Sequence, residues 1–447
     1  MPEKLRQLIM LRPIWIGALV LALPCLGWAQ TPPPTVSPAQ VTPGEQLPLS
    51  LDQAVSEALN SNLELLAKRY DLNIAEARKI TASMYPNPTL SLGADHLDFV
   101  GTGFDDINTA GPSEYSGRFD FTFEGGGKRA RRIEVAELAR QVTEFQLRDA
   151  ARQLILDVDN AYVEVLLARG NLSVAQQNRS AFSRITRISR ERVRAGDLAR
   201  VELMRTQLAE LQYDNTVILS EAHLRTAKQK LLLLMGRGKN VREDIELEGS
   251  LPRPPVNLAT PELEQIALSQ RPDYLALIRD QERSEASIRL EEANGKPNYI
   301  GGFEYRRQQG FAGKGNMLGF FFSMPIPVFD TNEGEVLRAR HEYDQVMARA
   351  RALEAQIKQE LASASQQLQA AERTVRQIES HMLTQARQVL DTMEYSYRGG
   401  HATLVELLDA QRSYNDIMVS YNEALAEYAR SRFLLYSITG QGGSLEK

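Results

Sequence analysis

Residues 335–398 read EVLRARHEYDQVMARARALEAQIKQELASASQQLQAAERTVRQIESHMLTQARQVLDTMEYSYR, a run of 64 residues without glycine or proline. These are the two residues that most readily interrupt a helix. Apolar side chains recur through the run at alternating steps of three and four, at positions 336, 339, 343, 346, 350, 353, 357, 361, 364, 368, 371, 375, 378, 382, 386, 389 and 393. The period is close to 3.6 residues and predicts one uninterrupted α-helix. At about 1.5 Å per residue this helix would be roughly 95 Å long, so it either forms a coiled-coil rod or crosses a space.

The first 49 residues predict export from the cytoplasm. A basic start, a short apolar run and the sequence Gly27-Trp28-Ala29 are typical of a signal peptide over residues 1–29. The single cysteine, Cys25, falls inside it, so disulfides are not expected in the mature chain. Lipidation of Cys25 is an alternative, which the preceding Pro24 disfavours. Residues 30–49 are rich in proline and predict an extended leader.

Residues 50–236 predict a first structural repeat. Ser50 and Gln53 form a capping-box pattern that opens a helix running to about Ser83. Two strands follow, at about 89–99 and 116–124, and in the second of them phenylalanines alternate with charged or polar residues. A long helix to about Arg194, a glycine turn and a helix over about 200–235 complete the repeat. Alternation of this kind indicates a half-buried strand in a soluble sheet, and in an exported chain it also fits a strand of a membrane barrel.

Residues 260–440 predict a second copy of the same arrangement, after a linker at 237–259 and before a short tail at 441–447. Its strands are expected at about 299–308 and 317–323, on either side of a glycine-rich loop, and its long helix is the one quoted above. The duplication is visible residue by residue, because five residues of the first repeat recur 204 positions later: Gly196, Val201, Glu202, Leu203 and Gly236 match Gly400, Val405, Glu406, Leu407 and Gly440.

Four membrane strands cannot close a barrel by themselves, because their edges would expose unpaired backbone groups to lipid. The smallest barrels have eight strands, so a barrel requires several copies of the chain. Two copies give a plugged lumen and three copies give twelve strands around an aqueous pore. Both long helices would leave the same end of the barrel and continue it as a tube. The two glycine turns, Gly196-Asp197 and Gly399-Gly400, would then lie together at the far tip.

The duplicated architecture and the two tip segments, 194–203 and 397–410, resemble the TolC-type outer-membrane channel family over about residues 50–440. The resemblance implies a mixed α/β membrane protein. It would form a homotrimer with a twelve-stranded barrel in outer-membrane lipid and a periplasmic α-helical tunnel. It also implies a periplasmic adaptor (membrane fusion) protein docked at the tip turns and an inner-membrane resistance-nodulation-division transporter behind it. Three segments, at 85–88, 126–129 and 324–334, further resemble the heavy-metal branch, the outer-membrane subunits of Czc-type cation efflux systems.

Gate residues follow from this resemblance by position. Glu406 and Asp409 match two acidic residues that ring the periplasmic entrance in the family, and Tyr397 matches a tyrosine that helps to hold the tip closed. Six carboxylates in one constriction would favour cations, and their crowding should raise their pKa values. An arginine of the best-known family member is replaced by Ala402, and Arg205 is a hypothetical substitute partner for Asp409. The alternative for both acids is an ordinary solvated helix face.

Other functions are disfavoured by composition. The net charge of −5 gives no reason to expect nucleic acid as a partner. The five histidines are scattered, so no metal site or cofactor is expected, and no catalytic constellation indicates an enzyme. Gly125-Gly126-Gly127-Lys128 lacks the remaining residues of a phosphate loop and predicts a turn. Two alternatives stay open: a drug or protein-export duct of the same fold, and a soluble periplasmic coiled-coil scaffold.

Overall fold

The computed structural model describes residues 48–97, 99, 101, 113–238, 244–251, 260–310 and 313–440, without the side chains of 260–262, 309, 310, 313 and 314. All of them fall in one compact unit that spans residues 47–447. The predicted signal peptide with Cys25, nearly all of the leader, part of the linker and the tail lie outside the described residues.

The first repeat contains helices α1 (Leu51–Ser61) and α2 (Leu63–Ser83), strands β1 (Thr89–Asp95) and β2 (Glu114–Phe123), and helices α3 (Lys128–Ala195) and α4 (Arg200–Leu234). The second contains α5 (Thr260–Gln270), α6 (Pro272–Asn294), β3 (Tyr299–Gly310), β4 (Gly313–Ser323), α7 (Glu333–Gln377), a π-helical turn (Ile378–Met382), α8 (Leu383–Arg398) and α9 (Leu404–Ile438). The same order of elements therefore occurs twice.

Several predicted boundaries were wrong. The helix opened by the Ser50–Gln53 capping box, which is present, breaks at Asn62, whose extended backbone starts α2 as its N-cap. The predicted helix after residue 260 breaks at Arg271, and Pro272 opens α6 at a position where a missing N–H does no harm. Most of the loop expected between β3 and β4 is strand, because the two strands stay in register up to the pair of Gly310 and Gly313.

The four strands form one antiparallel sheet in the order β1-β2-β3-β4. The register aligns Leu90, Phe119, Phe303 and Phe320 across all four strands, so one face of the sheet is apolar and exposed. The Phe119 and Phe303 rings stack with centroids 5.5 Å apart. The opposite face carries charges that pair along each strand: Arg118 with Asp120 and Arg306 with Glu304. The predicted division into an aromatic and a polar face is present.

The helices form four columns. α3 packs along α2 and α4, and also along α6 and α9, while α7 and α8 pack on α6 and α9. In the first column α4 and α2 meet end to end, because the Asn62 side chain donates to the carbonyl oxygen of Leu234 (2.9 Å) and accepts from the backbone of α2. The column order is therefore α2 with α4, then α3, then α6 with α9, then α7 with α8, which matches the order of the strands.

The glycines that match between the repeats lie at these end-to-end junctions. Gly236 has a left-handed backbone (φ 81°), and a Cβ on it would overlap the carbonyl oxygen of Ser61. Gly440 (φ 75°) lies at the junction of α9 with α6, where a Cβ would be 3.0 Å from the carbonyl carbon of Gln270. Only glycine satisfies both the φ angle and the close approach at these positions. Among the described residues, no helix combines the length and apolar character required to cross a membrane.

Candidate functional site

The first tip turn ends α3. Gly196 has a left-handed backbone (φ 84°) with open space around it, so its φ angle alone favours glycine. Its N–H donates to the carbonyl oxygen of Val193 (3.2 Å), and the N–H of Asp197 donates to that of Arg192 (2.9 Å). This is the hydrogen-bond pattern of a glycine-capped helix end. The Asp197 side chain is exposed.

The second tip turn ends α8. Gly399 keeps a helical backbone, Gly400 is left-handed (φ 77°), and the N–H of His401 donates to the carbonyl oxygen of Ser396 (2.8 Å). Arg192 of α3 lies against this turn, since a Cβ on Gly400 would be 3.6 Å from its Nη2 atom. The last turn of α3 and the second tip turn are thus neighbours within one chain.

Tyr397 is buried, with 2% of its surface exposed. Its hydroxyl forms a hydrogen bond with Ser189 of α3 (2.9 Å), and its carbonyl oxygen accepts from Arg192 Nη1 (3.2 Å). The Arg192 guanidinium also lies 5.5 Å from the centre of the tyrosine ring. Tyr397 belongs to a small apolar core, called the tip cluster below: Ile185, Leu390, Tyr397, Leu404, Leu407 and Ala410. It therefore holds α8 against α3.

Glu406 caps α9. Its carboxylate accepts from the backbone N–H of Thr403 (2.7 Å) and from the Thr403 hydroxyl (2.8 Å), while that hydroxyl accepts from the N–H of Glu406 (3.3 Å). These hydrogen bonds from Thr403 lower the pKa of Glu406 within the single chain. The rise predicted from crowding requires the carboxylates of neighbouring copies. The sequence contained the signal for this cap, since Thr403 and Glu406 have the capping-box spacing.

Asp409 and Arg205 do not meet within the single chain. Asp409 is exposed on α9 and has no ion pair or hydrogen bond from its side chain to any other described residue. Arg205 lies on α4, 3.6 Å from Glu202 of the same helix. Exposed pairs of this kind contribute little to stability, so Arg205 remains available to another partner.

An apolar stripe on α4 was missed at the level of the sequence. Five side chains at coiled-coil spacing are each more than half exposed: Val201, Met204, Leu208, Leu211 and Ile218. We call them the α4 seam. The buried residues of α4, Thr206 and Val217 among them, lie on the other side of the helix. The seam is therefore a second apolar face with no partner among the described residues, at one free edge of the helical layer.

The other free edge carries a groove along α8. Its volume is about 760 Å³, and it is lined by Leu383, Thr384, Arg387, Gln388, Asp391, Thr392 and Tyr395. Tyr395 has 80% of its surface exposed, although it is a large aromatic side chain. The lining mixes polar and aromatic groups. It can accept apolar side chains while hydrogen-bonding around them.

One buried acid lies away from the tip, between α3 and α9. Asp159 has 8% of its surface exposed, and burial raises its pKa to about 7, with Asp52 adding to the rise and Arg432 opposing it. Arg432 of α9 is also buried, and burial lowers its pKa. Among the described residues, no group of three or more His, Cys, Asp or Glu side chains is placed to hold a metal ion.

Comparison with known proteins gives one consistent result. A family model described as "Outer membrane efflux protein" matches residues 54–237 and 263–441. The chain is 24% identical over 395 residues to the cobalt-zinc-cadmium resistance protein CzcC of Cupriavidus metallidurans, covering 88% of this chain and 90% of that one. It is 26% identical over 387 residues to the outer membrane protein TolC of Salmonella enteritidis, covering 82% and 77%. The solved outer-membrane channel OprN superposes with a TM-score of 0.73 at 20% identity, covering 88% and 90%.

Proposed function

The chain belongs to the outer membrane efflux protein family, and from that premise we propose that three copies form the exit duct of a tripartite pump that exports heavy-metal cations. The family is one of outer-membrane channels with a periplasmic helical tunnel and not a family of enzymes. The observation that carries the proposal is the pair of free edges. The sheet ends in β1 and β4, and the helical layer ends in the α2–α4 and α7–α8 columns on the corresponding sides.

Joining the free edges of neighbouring copies removes the edges from both layers. β4 of one copy would pair with β1 of the next, and the α7–α8 column would pack on the next α2–α4 column. Such head-to-tail contacts generate a ring when the rotation closes. Pairing is required in lipid, where an unpaired strand edge is not tolerated. Three copies give twelve strands, enough for an aqueous lumen.

The α4 seam supplies the apolar side of this contact. We propose that Leu208 and Leu211 pack into the α8 groove of the neighbouring copy, beside Gln388 and Tyr395 of that copy. Its spacing is that of a coiled coil, in which side chains of one helix insert between those of another. Association would bury a stripe that is now in water, and buried apolar area is the main driving force for such contacts.

The oligomer is tested by a charge placed in the seam. Leu208→Lys combined with Leu211→Lys should abolish the trimer, because a coiled-coil seam does not accept two buried ammonium groups. The matched control is Gln212→Lys combined with Thr216→Lys, on an exposed part of α4 outside the seam. Native mass spectrometry and planar-bilayer conductance in detergent-purified protein are the measurements. A conducting trimer of the seam variant would refute the assigned interface, and a monomeric, non-conducting native chain would refute the duct.

The proposed cargo is a heavy-metal cation. The similarity to CzcC and the exposure of Glu406 and Asp409 one helical turn apart support it. Three copies would bring six such carboxylates to the periplasmic entrance, and carboxylate rings favour cations. Arg205 of one copy would pair with Asp409 of another, and Tyr397 would keep each tip closed against its own α3.

Selectivity is best tested without disturbing the α9 cap. Glu406→Gln combined with Asp409→Asn removes both charges, and glutamine can still complete the capping box. We expect a lower cation-to-anion permeability ratio in planar bilayers, with conductance retained. An unchanged ratio would rule out these residues as the gate. Glu394→Gln, an acid on α8 that is ion-paired with Arg398 (2.5 Å), serves as the charge control.

The pump partners are a periplasmic adaptor protein and an inner-membrane resistance-nodulation-division transporter. We propose that the adaptor docks on the tip turns, Gly196-Asp197 and Gly399-Gly400, which are exposed in the single chain. A deletion strain should become sensitive to divalent metal ions and recover with the native gene. Sensitivity to drugs without sensitivity to metals would favour the alternative export duct of the same fold.

A further inference from the structure

The longest helical column is interrupted at one point. Between α7 and α8, residues Ile378–Met382 form a π-helical turn in which the N–H of Leu383 donates to the carbonyl oxygen of Ile378, five residues back. A π-turn places one extra residue in the helix and weakens the regular hydrogen-bond ladder. The buried positions show the insertion directly: Val375 and Ile378 are buried above it, and Leu390 and Tyr397 below it, so the buried stripe moves by one residue.

The neighbouring columns carry polar contacts at the same level. Tyr421 of α9 donates to Glu379 within the π-turn (2.6 Å). The next residue, Asn422, donates to Asn171 of α3 (2.9 Å). Its amide also lies against Gly170, the only glycine inside α3, where a Cβ would be 3.2 Å from Asn422 Nδ2. A π-turn, a glycine and a pair of amide side chains thus meet at one height across three columns.

The apolar core is divided at this level. The core of the second repeat includes Ile378, and the tip cluster begins at Leu390 on the same column. Buried polar side chains lie between them: Asn178 of α3 and Gln411 and Asn415 of α9, with Gln411 donating to Asn415 (3.0 Å). Polar contacts of this kind can rearrange at lower cost than a close-packed apolar core, which resists sliding.

The external support of α3 also ends here. Arg169 donates to the carbonyl oxygens of Leu247 (2.8 Å) and Gly249, in the segment that lies along the outside of α3. Gly170 is the next residue. Above this level α3 is braced by residues 244–251, and the described part of that segment makes no hydrogen bond to α3 below it.

We propose that the π-turn, Gly170 and the Asn171–Asn422 pair form a hinge, about which the tip segment bends as a unit. The tip segment comprises α3 from residue 171, α8, and α9 up to Tyr421, held together by the tip cluster. The hinge gives the proposed duct a way to open its far end without breaking the core above, and it rests on that function for its purpose. Helix bends occur where the ladder is interrupted, as it is here.

The test measures bending within one chain, so that it does not depend on the trimer. Spin labels on Arg200→Cys at the tip and Arg340→Cys on α7 report across the hinge, and Lys68→Cys with Arg340→Cys reports above it. All chains carry Cys25→Ser, and labelled chains are diluted with unlabelled ones. We expect a broad distance distribution across the hinge and a narrow one above it in the purified, membrane-reconstituted chain.

Deletion of Ser380 removes the extra residue and should restore an α-helix with the register preserved on both sides. We expect the width of the distribution across the hinge to fall by about half, with the control pair unchanged. Gly170→Ala is the second variant, since it stiffens α3 without altering its length. A narrow native distribution, or equal widths in native and both variants, would overturn the hinge.

Hydrogen exchange of the native chain covers the case in which both variants misfold. Amides of residues 378–383 should exchange faster than those of 368–374 and 386–392, because the π-turn has weaker hydrogen bonds. Equal protection across these segments would also overturn the proposal. None of these readouts requires conductance, so failure of the hinge is distinguishable from failure of the duct.

Discussion

Asp159→Asn should make the protein more stable at pH 8 and leave its stability unchanged at pH 4. Burial raises the pKa of Asp159 from 3.8 to about 7 in the folded chain. Below pH 4 the carboxyl is protonated in both states. As the pH rises towards 7 the unfolded chain loses the proton first, which favours unfolding. Each pKa unit corresponds to about 1.4 kcal/mol, so the ionised carboxyl destabilises the fold by about 4 kcal/mol above pH 7.

Asparagine has the shape of the protonated carboxyl and never ionises, so the variant escapes this loss. The measurement is the unfolding midpoint of detergent-purified native and variant chains at pH 4, 6 and 8. The difference should grow with pH and level off above pH 7. Asp416→Asn, an exposed acid of α9, is the matched control and should follow the native chain. Identical pH dependence of native and Asp159→Asn would refute the burial of this carboxyl.

Two further predictions concern the tip and the end-to-end junctions. Tyr397→Phe should destabilise the tip by about 1 kcal/mol, because it leaves the buried Ser189 hydroxyl without its partner, and combining it with Ser189→Ala should recover part of the loss; equal losses in the single and double variants would contradict this. Gly249→Ala should lower stability by about 1 kcal/mol through backbone strain alone, since it has φ 86° and open space. Gly236→Ala, with a similar φ and a carbonyl oxygen in the way, should lower it by about 3 kcal/mol or more, and similar midpoint shifts for the two variants would refute the close approach.

Much of the fold could be predicted from local patterns. The alternation of Phe119, Phe121 and Phe123 with polar residues predicted one strand and its two faces, and the sheet has those faces. The matched glycines Gly196 and Gly400 predicted turns, and both have left-handed backbones. These features are short-range, because side-chain period and φ angle are properties of a few consecutive residues.

The candidate site could be predicted only in part. Position marked Tyr397, Glu406 and Asp409, but the roles differ by their surroundings: Tyr397 is in a core, Glu406 caps a helix and Asp409 is exposed. The α4 seam was visible in the sequence as Leu208 and Leu211 at heptad spacing. Nothing local showed that α3 packs on the other face of α4 and leaves this one free.

The long helix separates what the sequence determined from what the tertiary structure decided. The sequence determined that residues 335–398 are helical and which apolar stripe is buried as far as Ile378. Beyond it the predicted positions Met382 and Val389 are exposed, and Leu390 is buried instead. Two apolar stripes, one residue apart, are present in the sequence there, and the helical period alone cannot choose between them. The choice was made by packing against α3 and α9, since the π-turn at Glu379 shifts the helix by one residue and brings Tyr397 onto Ser189.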